Sequence, residues 1–263
     1  MSRPASARSG APRGRSLARR AVGAARRVAY GALGSTPFGT VTSVATDQPL
    51  VAITFDGGPD PTWTPRVLAV LDAHGAKGTF FVIGKYVDKH PDVVARLHEG
   101  GHALGNHTYD HPSFPLVSRH ERRRELRAGA EALAPYPQPR KLFRPPYLDQ
   151  SVASRYDTWR LGYETIACSL HANDWEDRPA DEMAATLNGS VAAGDVIMLH
   201  DAVCDQRYRS REAMIEALDV FLRTQTGLRF VTVPELLAAG RPRREMWIKR
   251  PNVKRLASYE RDF

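Results

Sequence analysis

The chain has 263 residues and a formal net charge of +8, from 37 Lys and Arg against 29 Asp and Glu. That length suits one large domain with a sizeable core, and two cysteines, Cys168 and Cys204, exclude a disulfide-stapled scaffold and are expected to be free thiols. A nucleic-acid reading of the charge is excluded as well. Eight arginines (Arg3, Arg8, Arg13, Arg15, Arg19, Arg20, Arg26, Arg27) fall in residues 1–27 and the first acid is Asp47, so the remaining 29 basic residues are level with the 29 acids.

Residues 1–40 are biased towards Arg, Ala, Ser, Gly and Pro and are expected to form a disordered basic extension. The apolar piece 28–33 is too short for a transmembrane helix or a secretory core segment. Residues 17–33 can form a basic amphipathic helix, which permits contact with an anionic membrane surface. An Arg-rich leader without acids also resembles a transit peptide, and twin arginines occur in export signals. With no clear signal peptide, the expectation is a cytoplasmic location or the cytoplasmic face of a membrane, with export as the alternative.

From residue 41 the pattern becomes regular, which defines a domain over 41–240 and a polar, basic tail over 241–263. Apolar runs bounded by turn residues predict strands at 50–55, 78–83, 102–106, 141–143, 163–169, 195–199 and 228–233. Helical spacing lies between most of them, at 64–74, 91–98, 119–133 and 210–222. The 119–133 helix is so highly charged that it is expected at the periphery. Strands alternating with helices argue for a parallel sheet, and seven of them in one domain predict an α/β fold closed as a barrel. The tail, with Trp247 isolated in it, either wraps back over the barrel or stays loose.

Several predicted strands end in chemistry. The first runs into Ile53-Thr54-Phe55-Asp56-Gly57-Gly58-Pro59-Asp60, which stops the strand and holds Asp56 on a tight turn. Asp56 is there either as a site carboxylate or as a helix cap. The third is followed by His107 and His111, four apart, which face one ion or only hydrogen-bond locally. The fourth is followed by Arg144-Pro145-Pro146-Tyr147, where two prolines stiffen the backbone around Arg144 and the Tyr147 N–H. The fifth runs on to His171, Asp174 and Trp175, and the sixth ends in Leu199-His200.

In combination, the Thr-Phe-Asp-x-Gly-Pro, His-Thr-x-x-His-Pro and Arg-Pro-Pro-Tyr strings resemble the polysaccharide deacetylase family, the chitooligosaccharide deacetylase homology domain. Five motif regions fall in order over residues 50–201, and the similarity reaches to about residue 240. The resemblance implies a distorted (β/α) barrel with about seven parallel strands. It implies a divalent metal, zinc or cobalt, and hydrolysis of an N-acetyl, occasionally O-acetyl, group on an amino-sugar glycan. By the same resemblance Asp56 matches the general base, and His107 and His111 match metal ligands. Arg144 matches the residue that orients the base, and Tyr147 the one whose backbone N–H faces the oxyanion. Asp174 matches the carboxylate that tunes the acid, His200 the general acid, Trp175 a groove wall, and Leu199 the neighbour of the acetyl methyl pocket.

Two positions depart from the family pattern, one of them far more consequential. The family carries a second Asp, its third metal ligand, where this chain has Gly57. Three routes remain for a metal: weak binding through His107, His111 and water, recruitment of Asp56 at the expense of the base, or Asp60 reaching in across the glycines. The degenerate alternative is a chain that binds glycan without turnover. A smaller departure is His171, where relatives often carry Asp.

Overall fold

The computed structural model describes residues 28–176, 178–203 and 210–259. In chain order the strands are β1 (Thr40–Ala45), β2 (Leu50–Asp56), β3 (Gly78–Val82), β4 (Ala103–Asn106), β5 (Leu142–Phe143), β6 (Glu164–Thr165), β7 (Leu170–His171), β8 (Val196–His200), β9 (Arg229–Val231) and β10 (Arg241–Glu245). A continuous apolar run is what a strand covered on both faces requires, and all seven residues of β2 are buried. Around β2 the sheet takes the order β6-β5-β4-β3-β2-β8-β7, and β9 lies beside residues 50–52 of β2. Every pairing in this sheet is parallel.

Helices Trp63–Ala73, Pro91–Glu99, Ala180–Ser190 and Glu212–Thr224 bury their apolar stripes against the sheet. Phe55 and Phe80 stack at 4.8 Å between centroids in that core, where each fully buried aromatic contributes about 1.5–3 kcal/mol. The sheet curls into a half-barrel, so the expected distorted (β/α) barrel is the observed fold.

One expectation changes and two are refined. Residues 163–169 do not make one strand, because β6 and β7 occupy opposite edges of the sheet. The chain between them spans the gap, with Ala167 N–H donating to the Val41 carbonyl at 2.7 Å and Ser169 N–H to the Val196 carbonyl at 2.9 Å. The charged helix Arg119–Ala132 lies at the periphery, with Arg119, His120, Arg124 and Arg127 exposed, but its inner face is charged as well. Arg122, Glu125 and Leu126 are buried on it, and Arg122 is charge-compensated by buried Asp157 at 2.9 Å. The tail wraps back: β10 pairs antiparallel with β1 over the open side.

Cys204 and residues 1–27, which carry the arginine cluster, lie outside the described residues. Among the described residues no helix is long and apolar enough to cross a membrane.

Candidate active site

A parallel sheet sends all its carboxyl ends to one side, and the expected site residues gather there. Asp56 ends β2 and is paired in register with His200, which ends β8. Arg144, fully buried just past β5, donates Nη1 to Asp56 Oδ1 and to Thr54 Oγ1, each at 2.7 Å. Its Nε and Nη2 donate to the carbonyls of Ile166 and Ala167. Four of the five guanidinium donors are thus used, and the Asp56 carboxylate is held in one orientation.

The loop after β4 is wound by side chains. Asn106 Oδ1 accepts from Thr108 N–H, and buried Glu125 accepts from the N–H groups of Tyr109 and Asp110. Thr108 and His111 take left-handed φ values of 71° and 61°, a cost this network offsets. The result turns His111 back onto His107. Nδ1 of His107 meets the Arg144 carbonyl at 2.8 Å, an acceptor only, so the neutral ring keeps its lone pair on Nε2. Burial pushes the His107 pKa below its usual value and favours that neutral ring.

Nε2 of His111 stands 3.2 Å from Nε2 of His107. Two imidazole nitrogens bound at tetrahedral distances to one ion would be roughly 3.3 Å apart. The pair therefore fits a divalent ion as two donors. Among the described residues no set of three or more His, Cys, Asp or Glu is placed to hold a metal.

Gly57 offers no side chain at this corner of the site. It has a φ of +94°, and a Cβ on it would lie 2.2 Å from the Ala202 carbonyl oxygen. The backbone here is one that only glycine accepts. Asp60 does not join the histidine pair, because its Oδ1 accepts from the N–H groups of Thr62 and Trp63 at the start of a helix. The turn is also held from below. Asp201 accepts from Gly58 N–H at 3.2 Å and from the Thr64 hydroxyl at 2.6 Å, and burial pushes its pKa up to about 7.

On β8, His200 gives its Nδ1 to Asp174 Oδ1 at 3.1 Å and its backbone N–H to Asp174 Oδ2 at 2.7 Å. Buried Arg211 donates to the Asp174 carbonyl at 2.7 Å. Burial works against a charged His200, but the charge and hydrogen bond of Asp174, with the charge of Asp56, outweigh it, so its pKa lies above the usual value. The Leu199 expectation is corrected by strand alternation. Met198 shares the His200 face and lines the cavity, whereas Leu199 points the other way into the core. Trp175 packs edge-on to His200 at 5.5 Å, and His171 sits 5.0 Å from Trp175.

These groups open onto one cavity of about 1370 Å³. One wall is Tyr147 and Leu148, two consecutive left-handed residues with φ of 58° and 55°. The tail adjoins this turn and lines the cavity with it, through Trp247, Lys249 and Tyr259. Cys168 lines the cavity as a buried free thiol, with its pKa pushed by burial up to about 11.

Sequence reasoning missed Thr54, Glu125, Asp201 and Arg211 as supports of this site. Thr54 lay inside the recognised string, and Asp201 directly follows His200. Nothing local marked Glu125 or Arg211, whose contacts in the site are with residues 15 or more positions away.

Comparison with known proteins gives a consistent picture. The polysaccharide deacetylase family model matches residues 43–166. The chain is 35% identical over 206 residues to a peptidoglycan-N-acetylglucosamine deacetylase of Bacillus cereus, covering 76% of this chain and 94% of the relative. It is 33% identical over 171 residues to a chitooligosaccharide deacetylase of Sinorhizobium fredii, covering 62% of this chain and 76% of the relative. A crystal structure of a peptidoglycan N-acetylglucosamine deacetylase superposes with a TM-score of 0.71 at 30% identity, covering 78% of this chain and 95% of that one.

Proposed function

The chain belongs to the polysaccharide deacetylase family of hydrolases, and from that premise we propose that it removes N-acetyl groups from an amino-sugar glycan with the help of zinc or cobalt. The observation that carries this reading is the pairing across β2 and β8. A carboxylate locked by a buried arginine stands beside an imidazole locked by a buried carboxylate, both open to the cavity that His107 and His111 line.

In this reading His107 and His111 would hold the ion, which when bound polarises the acetyl carbonyl and lowers the pKa of the attacking water. Asp56, an acceptor aimed by Arg144, takes the proton of that water. The Tyr147 turn offers its backbone N–H to the developing oxyanion. His200, charged beside Asp174, donates a proton from Nε2 to the departing amine nitrogen, so that the C–N bond breaks to a neutral amine and acetate. The acetyl methyl meets the apolar patch of Met198 and Leu148, with Trp175 behind it.

The test is acetate release from an N-acetylglucosamine oligomer by metal-stripped protein, titrated with zinc and then cobalt. Activity should rise with added metal, with a weak half-saturation, because Gly57 supplies no carboxylate to the ion and even partners that only support a ligand are worth about 10–100-fold in affinity. The second reading, glycan binding without turnover, is favoured by the two-donor set alone. It requires silence at every metal concentration together with retained oligomer binding.

The acid role also predicts a pH dependence. His200 must carry its proton, so turnover should be lost as pH rises through a pKa above 6.5. In Asp174→Asn the main group holding that proton is gone, and the alkaline limb should move to lower pH. A kcat–pH profile that stays put in Asp174→Asn would remove His200 as the acid.

A further inference from the structure

We propose that residues 247–249 are a positioning element for the Tyr147 turn, so that the C-terminal chain, as well as the barrel, sets the direction of that N–H. The inference rests on the proposed role of Tyr147. Four consecutive residues of the turn are tied to the tail. Lys249 Nζ donates to the Tyr147 carbonyl, and Trp247 Nε1 donates to the Leu148 carbonyl at 3.1 Å. The Lys249 ammonium also stands 3.6 Å from the buried Asp149 carboxylate. Gln150 exchanges two backbone hydrogen bonds with Lys249, each at 3.0 Å, and its Nε2 donates to the Trp247 carbonyl at 2.6 Å.

The turn has a physical need for these ties. Two adjacent L-residues in the left-handed region persist only where their surroundings over-determine them. Pro145 and Pro146 restrain the approach to the turn, and their carbonyls accept from Leu148 N–H at 2.9 Å and Asp149 N–H at 3.0 Å, but these bonds do not engage the carbonyls of Tyr147 and Leu148. Tethering both carbonyls leaves those residues one setting of φ and ψ, and hence one direction for the Tyr147 N–H. The tail can act as a fixed point because it is anchored independently: β10 is laddered to β1, and the Trp247 ring packs against the cluster of Leu148, Cys168 and Met198.

Lys249→Met and Trp247→Phe, made in the full chain, each remove one donor while keeping most of the packing. Each should lower kcat by about tenfold with KM within about twofold, the signature of a misplaced transition-state donor. Lys249→Arg should recover most of the loss. An unchanged kcat, or a loss confined to KM, would overturn the proposal and leave the tail as a groove wall only. If the wild-type chain releases no acetate on any substrate, amide hydrogen exchange still decides the matter. In the double variant Leu148, Asp149 and Gln150 should exchange about tenfold faster while β2 is unchanged, and equal rates would refute the tie.

Discussion

Asp56→Asn is expected to lower acetate release by about 10²–10⁴-fold while the chain stays folded. The carboxylate is nearly inaccessible to solvent and is aimed by Arg144, which has no other acidic partner within ion-pair distance among the described residues. Asn keeps an oxygen to accept from Arg144 Nη1 but cannot take a proton from water. The structural penalty should therefore stay below the ~3–5 kcal/mol seen when one side of a buried pair is removed outright. Acetate assays on the purified variant, with circular dichroism and a melting curve beside them, separate the two effects. A variant that folds and keeps more than about a tenth of wild-type turnover would disqualify Asp56 as the base.

The second large effect is expected at Gly57, and in the direction opposite to what ligand counting suggests. Putting back a carboxylate with Gly57→Asp should fail to raise activity and should cost stability, because the new Cβ meets the Ala202 carbonyl at 2.2 Å and φ is +94°. The left-handed backbone alone costs an L-residue roughly 1–2 kcal/mol, and displacing a carbonyl adds to it. The melting temperature should fall by several degrees, since about 1 kcal/mol corresponds to about 2–4 °C in a domain of this size. A Gly57→Asp protein that is as stable as wild type and more active with added zinc would mean that the chain around Ala202 yields, and that the loss of the ligand is reversible by one substitution.

The two variants expose how differently the neighbouring positions could be read. Asp56 announced itself through local signals: an apolar run, then a carboxylate, then residues that break a strand. The same holds for His107, His111, Arg144 and His200, each just past or at the end of a strand whose hydrophobic period is local. Gly57 was legible only as an absence. That its backbone excludes a side chain depends on Ala202, about 145 residues further along, and no window of sequence contains that contact. Leu199 shows a subtler limit. The strand was recognised, but which of Met198 and Leu199 faces the cavity follows from the register against β2, where His200 stands beside Asp56.

What the sequence alone determined is the strand–helix alternation, the curled parallel sheet it implies, and the chemical groups placed at the strand ends. Those are properties of hydrophobic period and turn residues, which act over a few positions. Tertiary structure alone decided that residues 163–169 divide between two sheet edges, that Glu125 and Arg211 brace the site, and that β10 returns to β1 and carries Trp247 and Lys249 onto the Tyr147 turn. Each of these rests on hydrogen bonds between distant segments, whose partners are chosen by the packing of the whole sheet, so no stretch of residues carries their signature by itself.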